Sequence, residues 1–180
     1  MKKFKHNSES YVSFSELMLP SHSNFSGKIH GGYILSLMDQ IAFACASKHS
    51  GYYCVTASVA SVDFLKPIEI GELLTMQALV NYVGRSSMVI GIRVEAENVR
   101  TGATKHCNSS FFTMVAQDDD GNPAQVPGLV LKTEADVRRF AKSATRQQQK
   151  KARKIDFDDA QFDLTKHIEA LKGYNIKLEL

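Results

Sequence analysis

Most of the chemistry legible in this 180-residue chain lies in ten residues, Ser23-Asn24-Phe25-Ser26-Gly27-Lys28-Ile29-His30-Gly31-Gly32. The tandem glycines stand where an apolar three-to-four-residue periodicity begins. Glycine is costly in backbone entropy inside a helix, so the pair needs a reason. Without a Cβ, backbone N–H groups at a helix start can approach a bound oxygen, and the helix dipole favours negative charge there. An oxyanion formed in acyl transfer fits that position, while a tight turn packed on a sheet is the other reading of the dipeptide. Asp39 follows Gly32 by seven residues and shares a helical face with Ser36, Gln40, Phe43 and Ser47. If that face meets water, it is a solvated stripe. If it meets a second subunit or a substrate tunnel, the partly desolvated carboxylate can act as a base toward water.

Three other features carry less. His30 has no Asp or nucleophilic Ser at a fixed spacing, so it reads as a residue that orients a loop. Arg85-Ser86-Ser87 offers a cation and two hydroxyls suited to a phosphate, in what is also an ordinary turn. The sequence has no GxSxG elbow and no HExxH, and its histidines are scattered; neither a serine hydrolase nor a metal site is expected.

The elements that must position these residues follow from periodicity. Ile34, Leu37, Met38, Ile41, Ala42 and Cys45 predict a helix from Gly31 to Lys48, closed by Gly51. The period then changes to two. Strands are expected over Cys54–Leu65, ended by Lys66-Pro67, and over Leu73–Tyr82, Met88–Asn98 and Ala103–Ala116, with Ser10–Leu19 as a first strand. Short turns at Gly84-Arg85 and Thr101-Gly102 make the pairs antiparallel. One strand, one long helix and four further strands define an α+β domain in which the sheet wraps the helix.

Composition bounds the rest. With 43% hydrophobic and 23% charged residues, the chain suits one ordinary core rather than two. We expect a domain over residues 1–128 and a basic, helical extension over residues 129–180. Nine Lys or Arg face only Glu134 and Asp136 between residues 132 and 154, a local excess of +7. Thr133 followed by Asp136 resembles a capping box that starts a helix there. The basic run has no interleaved aromatics, so a solvated helix against a neighbouring subunit is preferred to a nucleic-acid partner. Lys2, Lys3 and Lys5 lead into no apolar run, and no stretch reaches membrane-spanning length, so a cytoplasmic location without membrane contact is expected. Cys45, Cys54 and Cys107 lie in apolar segments without CxxC spacing and read as packed, reduced thiols.

The stretch Asn24-Phe25-Ser26-Gly27-Lys28-Ile29-His30-Gly31-Gly32-Tyr33-Ile34-Leu35-Ser36-Leu37-Met38-Asp39 resembles the signature of the hot-dog-fold acyl-CoA thioesterases, the family of the cytosolic, brain-type acyl-CoA hydrolases and their short bacterial counterparts. The similarity continues through Val55–Phe64, Lys66-Pro67, Gly71-Glu72 and Gly84-Arg85-Ser86-Ser87-Met88, and covers roughly residues 10–120. It implies hydrolysis of acyl-CoA to a fatty acid and CoA, with CoA as part of the substrate and no cofactor. It also implies a homo-oligomer, two hot-dog subunits joined sheet to sheet and gathered into hexamers, with sites at the subunit interface. By position, Asp39 would activate water, Asn24 would orient water or the thioester, and the Gly32 N–H would hold the thioester oxygen. His30, Gly31, Arg85, Ser86 and Ser87 would contact substrate, the last three through CoA phosphate. Direct water attack and a covalent anhydride on Asp39 are both admissible. The alternatives are a module that senses acyl-CoA without cleaving it, for which Asn24 and Asp39 would be needless, and a hydratase, for which His30 is the only candidate base.

Overall fold

The computed structural model describes residues 3–156, with side-chain surroundings through residue 150. In chain order the elements are β1 (Phe4–His6), β2 (Val12–Leu17), α1 (Gly31–Ser50), β3 (Tyr53–Val59), β4 (Glu72–Val83), β5 (Ser87–Asn98), β6 (Ala103–Gln117), β7 (Gly128–Val130) and α2 (Glu134–Asp156). Five strands form one antiparallel sheet in the order β2-β4-β5-β6-β3, and β1 pairs with β7 in parallel. The expected sequence of one strand, a long helix and four strands is therefore the order in which α1 and the strands of the main sheet follow one another along the chain.

Alternation along the strands decides which face meets the helix. Leu74, Met76, Ala78 and Val80 of β4, Met88, Ile90, Ile92 and Val94 of β5, and Phe112, Met114 and Ala116 of β6 are buried, and the register sets them side by side. They close over Ile34, Leu37, Met38, Ile41, Ala42 and Cys45 of α1. Burial of this kind is the main favourable term in folding, roughly 25 cal/mol per Å² of apolar surface. α1 ends where Gly51 takes a left-handed conformation (φ 78°) and donates its N–H to Ser47 O at 2.8 Å. The three cysteines are free and buried, and burial pushes the Cys45 thiol up to about 12, so it stays protonated.

The structure departs from the expectation in three places. β3 ends at Val59 rather than Leu65, after a bulge between Thr56 and Ser58. The chain still meets β6, through Ala60 N to Phe111 O and Leu65 N to Cys107 O, but between them it leaves the ladder and turns Phe64 toward the helix start. The strand expected over Ser10–Leu19 is confined to Val12–Leu17. The β1–β7 pair was not anticipated. It depends on Gly128, where a Cβ would stand 2.5 Å from the Phe4 ring.

The chain divides into one compact unit, Met1–Ser143, and a second, Ala144–Leu180. The first turns of α2 belong to the compact unit, past the boundary expected at residue 128. Thr133 and Asp136 form the anticipated reciprocal cap: Asp136 N donates to Thr133 Oγ1 and Thr133 N to Asp136 Oδ2, both at 3.1 Å. Asn7 Nδ2 donates to Asp136 Oδ1 at 2.6 Å and ties the N-terminal segment to the same carboxylate. The Phe140 ring lies 5.1 Å from that of Tyr82. The part of the expected extension over residues 157–180 lies outside the described residues. Among the described residues no helix is long and apolar enough to cross a membrane, and no group of three His, Cys, Asp or Glu is placed to hold a metal ion.

Candidate active site

Residues 22–30 fold as a small hairpin ahead of α1. His30 N donates to His22 O at 2.9 Å, Ser23 bridges Ile29, and Asn24 N donates to Lys28 O at 2.7 Å. The tip closes by Gly27 N to Asn24 O at 3.1 Å, with Gly27 at φ 76° where a side chain would be strained. The Asn24 side chain is committed on one side only. Its Oδ1 accepts from Ser26 N (3.0 Å), Ser26 Oγ (2.8 Å) and Lys28 N (3.1 Å). Two of those donors are backbone amides, which fixes the oxygen as the inward atom and leaves Nδ2 as an outward donor.

The glycine pair has two different jobs. His30 caps α1, and its Nδ1 accepts the Gly32 N–H at 3.0 Å. A Cβ on Gly32 would stand 2.7 Å from His30 Cε1, so the ring can cap only a glycine. The Gly32 amide, expected as the oxyanion donor, is thus occupied by the cap. Among the described residues the Gly31 N–H meets no acceptor, and the Phe64 ring lies over that residue, 3.3 Å from where a Cβ would stand.

Asp39 lies exposed on α1 together with Ser36, Gln40 and Phe43. Its Oδ1 accepts the Thr56 hydroxyl at 2.5 Å, and that hydroxyl lies 3.3 Å from Met114 Sδ. Thr56 is opposite Met114 in the β3–β6 register, on the helix side of an edge strand. No motif in the sequence marks Thr56. The available signal was its parity with buried Cys54, which puts a hydroxyl on the strand face turned to α1.

The structure does not gather all the expected residues in one place. Arg85, Ser86 and Ser87 form the β4–β5 turn, with Arg85 exposed. Val126 N donates to Arg85 O at 3.0 Å and Ala116 N to Ser86 O at 2.9 Å. His49 Nε2 meets Pro127 O at 3.0 Å, so this turn neighbours the C-terminal end of α1, whereas Asn24, His30 and the glycines are at its other end.

A long helix wrapped by a five-stranded antiparallel sheet, opened by two glycines and bearing an acid on its uncovered face, is the hot-dog arrangement of thioester hydrolases. The model of the thioesterase superfamily matches residues 26–103. The chain is 41% identical to the protein VdlD of Helicobacter pylori over 126 residues, 70% of this chain and 72% of that one. It is 36% identical to YkhA of Bacillus subtilis, named an uncharacterized acyl-CoA thioester hydrolase, over 81% of this chain and 85% of that one. Among solved structures, an apo-hexameric acyl-CoA thioesterase superposes with a TM-score of 0.82 at 35% identity, covering 85% of this chain and 98% of that chain. The acyl-CoA hydrolase of Staphylococcus aureus, solved with butyryl-CoA, CoA and CoA disulfide, superposes with a TM-score of 0.79 at 33% identity, over 93% and 98%. Variants of that enzyme with one asparagine, one aspartate or one threonine changed to alanine have also been solved. This chain belongs to the thioesterase superfamily, among its hot-dog-fold acyl-CoA hydrolases.

Proposed function

We propose that the protein hydrolyses acyl-CoA to a carboxylic acid and CoA, with water activated by Asp39. The observation that carries this reading is the carboxylate of Asp39, exposed on the open face of α1 and oriented by the Thr56 hydroxyl. A carboxylate held this way leaves Oδ2 for a water. It takes the proton as the oxygen attacks the thioester carbon; the C–S bond then breaks, and the departing thiolate takes that proton back from Asp39, leaving as the CoA thiol and restoring the carboxylate. The negative charge that develops on the carbonyl oxygen needs donors. The Gly31 N–H at the helix start and Asn24 Nδ2 are donors left open at that end, and we assign the oxygen to them in place of the capped Gly32 amide. The three positions replaced by alanine in the S. aureus enzyme are spaced along that chain as Asn24, Asp39 and Thr56 are here, which supports the same three residues. Water and the chain's own groups suffice for these steps, and CoA enters only with the substrate.

One chain cannot assemble this site. Gly31 and Asp39 are eight residues apart on one helix, about 12 Å along the axis at about 1.5 Å per residue. The reacting carbon must lie roughly 3 Å from both the oxyanion donors and the attacking water. We therefore propose that Asp39 and Thr56 of one subunit meet Asn24 and Gly31 of another. Phe25, at the hairpin tip beside Asn24, is fully exposed in the single chain, as a side chain seated on a partner would be. The hexameric state of the similar thioesterase supports such an assembly. Arg85, Ser86 and Ser87, at the far end of the helix from Gly31, are proposed to meet the phosphates of CoA.

The test is thiol release from short, medium and long acyl-CoAs by the wild type, Asp39→Ala and Asn24→Ala. Turnover by the wild type, lost in both variants while they stay folded, is the expected result. A wild type that binds CoA but cleaves none of the thioesters would make the protein an acyl-CoA sensor instead.

A further inference from the structure

The hairpin that carries Asn24 stands on a contact that none of the chemistry above uses. Glu16 lies on the helix-facing side of β2, opposite Leu74, in a row with Val12 and Phe14. A half-buried carboxylate in an apolar row needs a partner. It finds one in Tyr33, the third residue of α1, whose Oη donates to Glu16 Oε1 at 2.7 Å. The Tyr33 ring is in turn stacked on that of His22, with centroids 4.1 Å apart and planes inclined by 21°. His22 is the first residue of the hairpin. Its Nδ1 accepts Leu19 N at 3.3 Å, which orients the ring, and its carbonyl accepts His30 N at 2.9 Å, which closes the hairpin base.

We propose that Glu16, Tyr33 and His22 are positioning residues for hydrolysis, a stack that sets the angle of the 22–30 hairpin and with it the place of Asn24 Nδ2. The hairpin is held on its other flank by Ile29 N to Ile68 O at 3.0 Å and by the Lys28–Glu69 ion pair at 2.6 Å. The Glu69 pair is exposed and, as a surface pair, holds weakly. Backbone bonding to residues 68 and 69 holds the second arm of the hairpin, so the base contact is what sets the first arm, which carries Asn24, and a tilt there is largest at the tip. Displacement of about 1 Å in a group that aligns a reacting carbonyl is enough to lower turnover by about a hundredfold. This inference rests on the hydrolase reading for its effect on rate, but the geometry of the hairpin can be tested without it.

Two readouts on the full-length protein separate these questions. Tyr33→Phe keeps the stack and loses the hydrogen bond; Tyr33→Leu loses both; Glu16→Gln keeps an acceptor for the hydroxyl. Hydrogen exchange of peptides covering residues 20–30 is expected to quicken about tenfold in Tyr33→Leu and less in Tyr33→Phe, and to stay near wild type in Glu16→Gln, with β5 and β6 unchanged. Turnover is expected to fall in the same order, by tenfold or more in Tyr33→Leu, with KM within about twofold of wild type. Unchanged exchange at 20–30 would overturn the proposal whatever the activity. So would exchange in Tyr33→Leu that quickens equally in β5 and β6, which would mark Tyr33 as a general stability residue. If Tyr33→Leu does not fold, Tyr33→Phe against Glu16→Gln decides by the same measures. A wild type inert on every thioester would fail the hydrolase reading alone, and exchange would still decide the hinge.

Discussion

Asp39 can serve as a base only while one of its oxygens stays aimed at water, and Thr56 is the group that aims it. The 2.5 Å bond takes Oδ1 and fixes the plane of the carboxylate. Thr56→Val keeps the β-branched shape and removes the hydroxyl, so it should leave β3 intact and lower kcat by about tenfold, against about 10²–10⁴-fold for Asp39→Ala. Steady-state thiol release beside thermal melts checks this; equal kcat in Thr56→Val and wild type would remove Thr56 from the site. At this scale the sequence shows types and spacing but not commitments. Asn24, the glycine pair and Asp39 stand out because each is expensive or unusual where it occurs. The Asn24 turn and the His30 cap are bonds two to four residues long, local but not fixed by residue type, since Asn and His could each present either polar atom. The Thr56–Asp39 bond joins residues seventeen apart on two elements, and no local pattern encodes it.

The elements that hold these groups are fastened at their ends, and two of the fastenings titrate. His49, in the last turn of α1, is fully buried with Nε2 on Pro127 O at 3.0 Å, and burial holds its imidazole below the usual pKa. The unfolded chain therefore takes up that proton first as pH falls. The contribution is complete above the ordinary value of 6.5 and shrinks below it. Urea midpoints should drop between pH 7.5 and 5.5 in the wild type, and drop less in His49→Gln, which keeps a donor but cannot ionise; parallel slopes would refute this. Asp136 works in the opposite direction of charge. The Asn7 amide, then the Thr133 hydroxyl and the amides of Lys132 and Thr133, hold its carboxyl well below the usual range despite burial. Its contribution is present above the ordinary value of 3.8 and is lost only as pH falls through the depressed one. Asp136→Ala should cost about 1.5–3 kcal/mol at pH 7, the range for hydrogen bonds to a charged group, and release β1 together with the start of α2. Chemical denaturation and exchange of residues 3–10 measure both effects. The long elements were legible because period and caps agree: α1 from its apolar spacing and Gly51, β4 to β6 from alternation, α2 from Thr133 and Asp136. β3 was read too long because Val62 and Phe64 are apolar for another reason, to cover the core and the helix start. The β1–β7 pair, three residues on each side, is too short to leave a period.

At the scale of the whole molecule, the proposed site would join Asp39 to oxyanion donors that lie far from it in one chain. β3 is an edge strand, and the surface beside it carries Phe43, Tyr53 and Val59, all substantially exposed, around Asp39 and Thr56. An open edge flanked by exposed apolar side chains invites a second copy, and a two-fold arrangement would bring the hairpin of each chain to the Asp39 of the other. This makes a prediction that a site within one chain does not share. Asn24→Ala and Asp39→Ala are each expected to be inactive, yet when their subunits are exchanged, a mixed dimer holds one site with both residues intact and one with neither. Random pairing of equal amounts makes about half of the dimers mixed, so about a quarter of wild-type activity should return. The measurement is thiol release after mild dissociation and reassembly of the mixture, with each variant taken through the same steps alone. Recovery near that fraction requires Asn24 and Asp39 to act across the interface. If exchange is confirmed by mass spectrometry and no activity returns, both residues serve within their own chain: the hairpin would then have to fold back along α1 to bring Asn24 to Asp39, and the Gly31 N–H, about 12 Å away on the same helix at about 1.5 Å per residue, would drop out of the site.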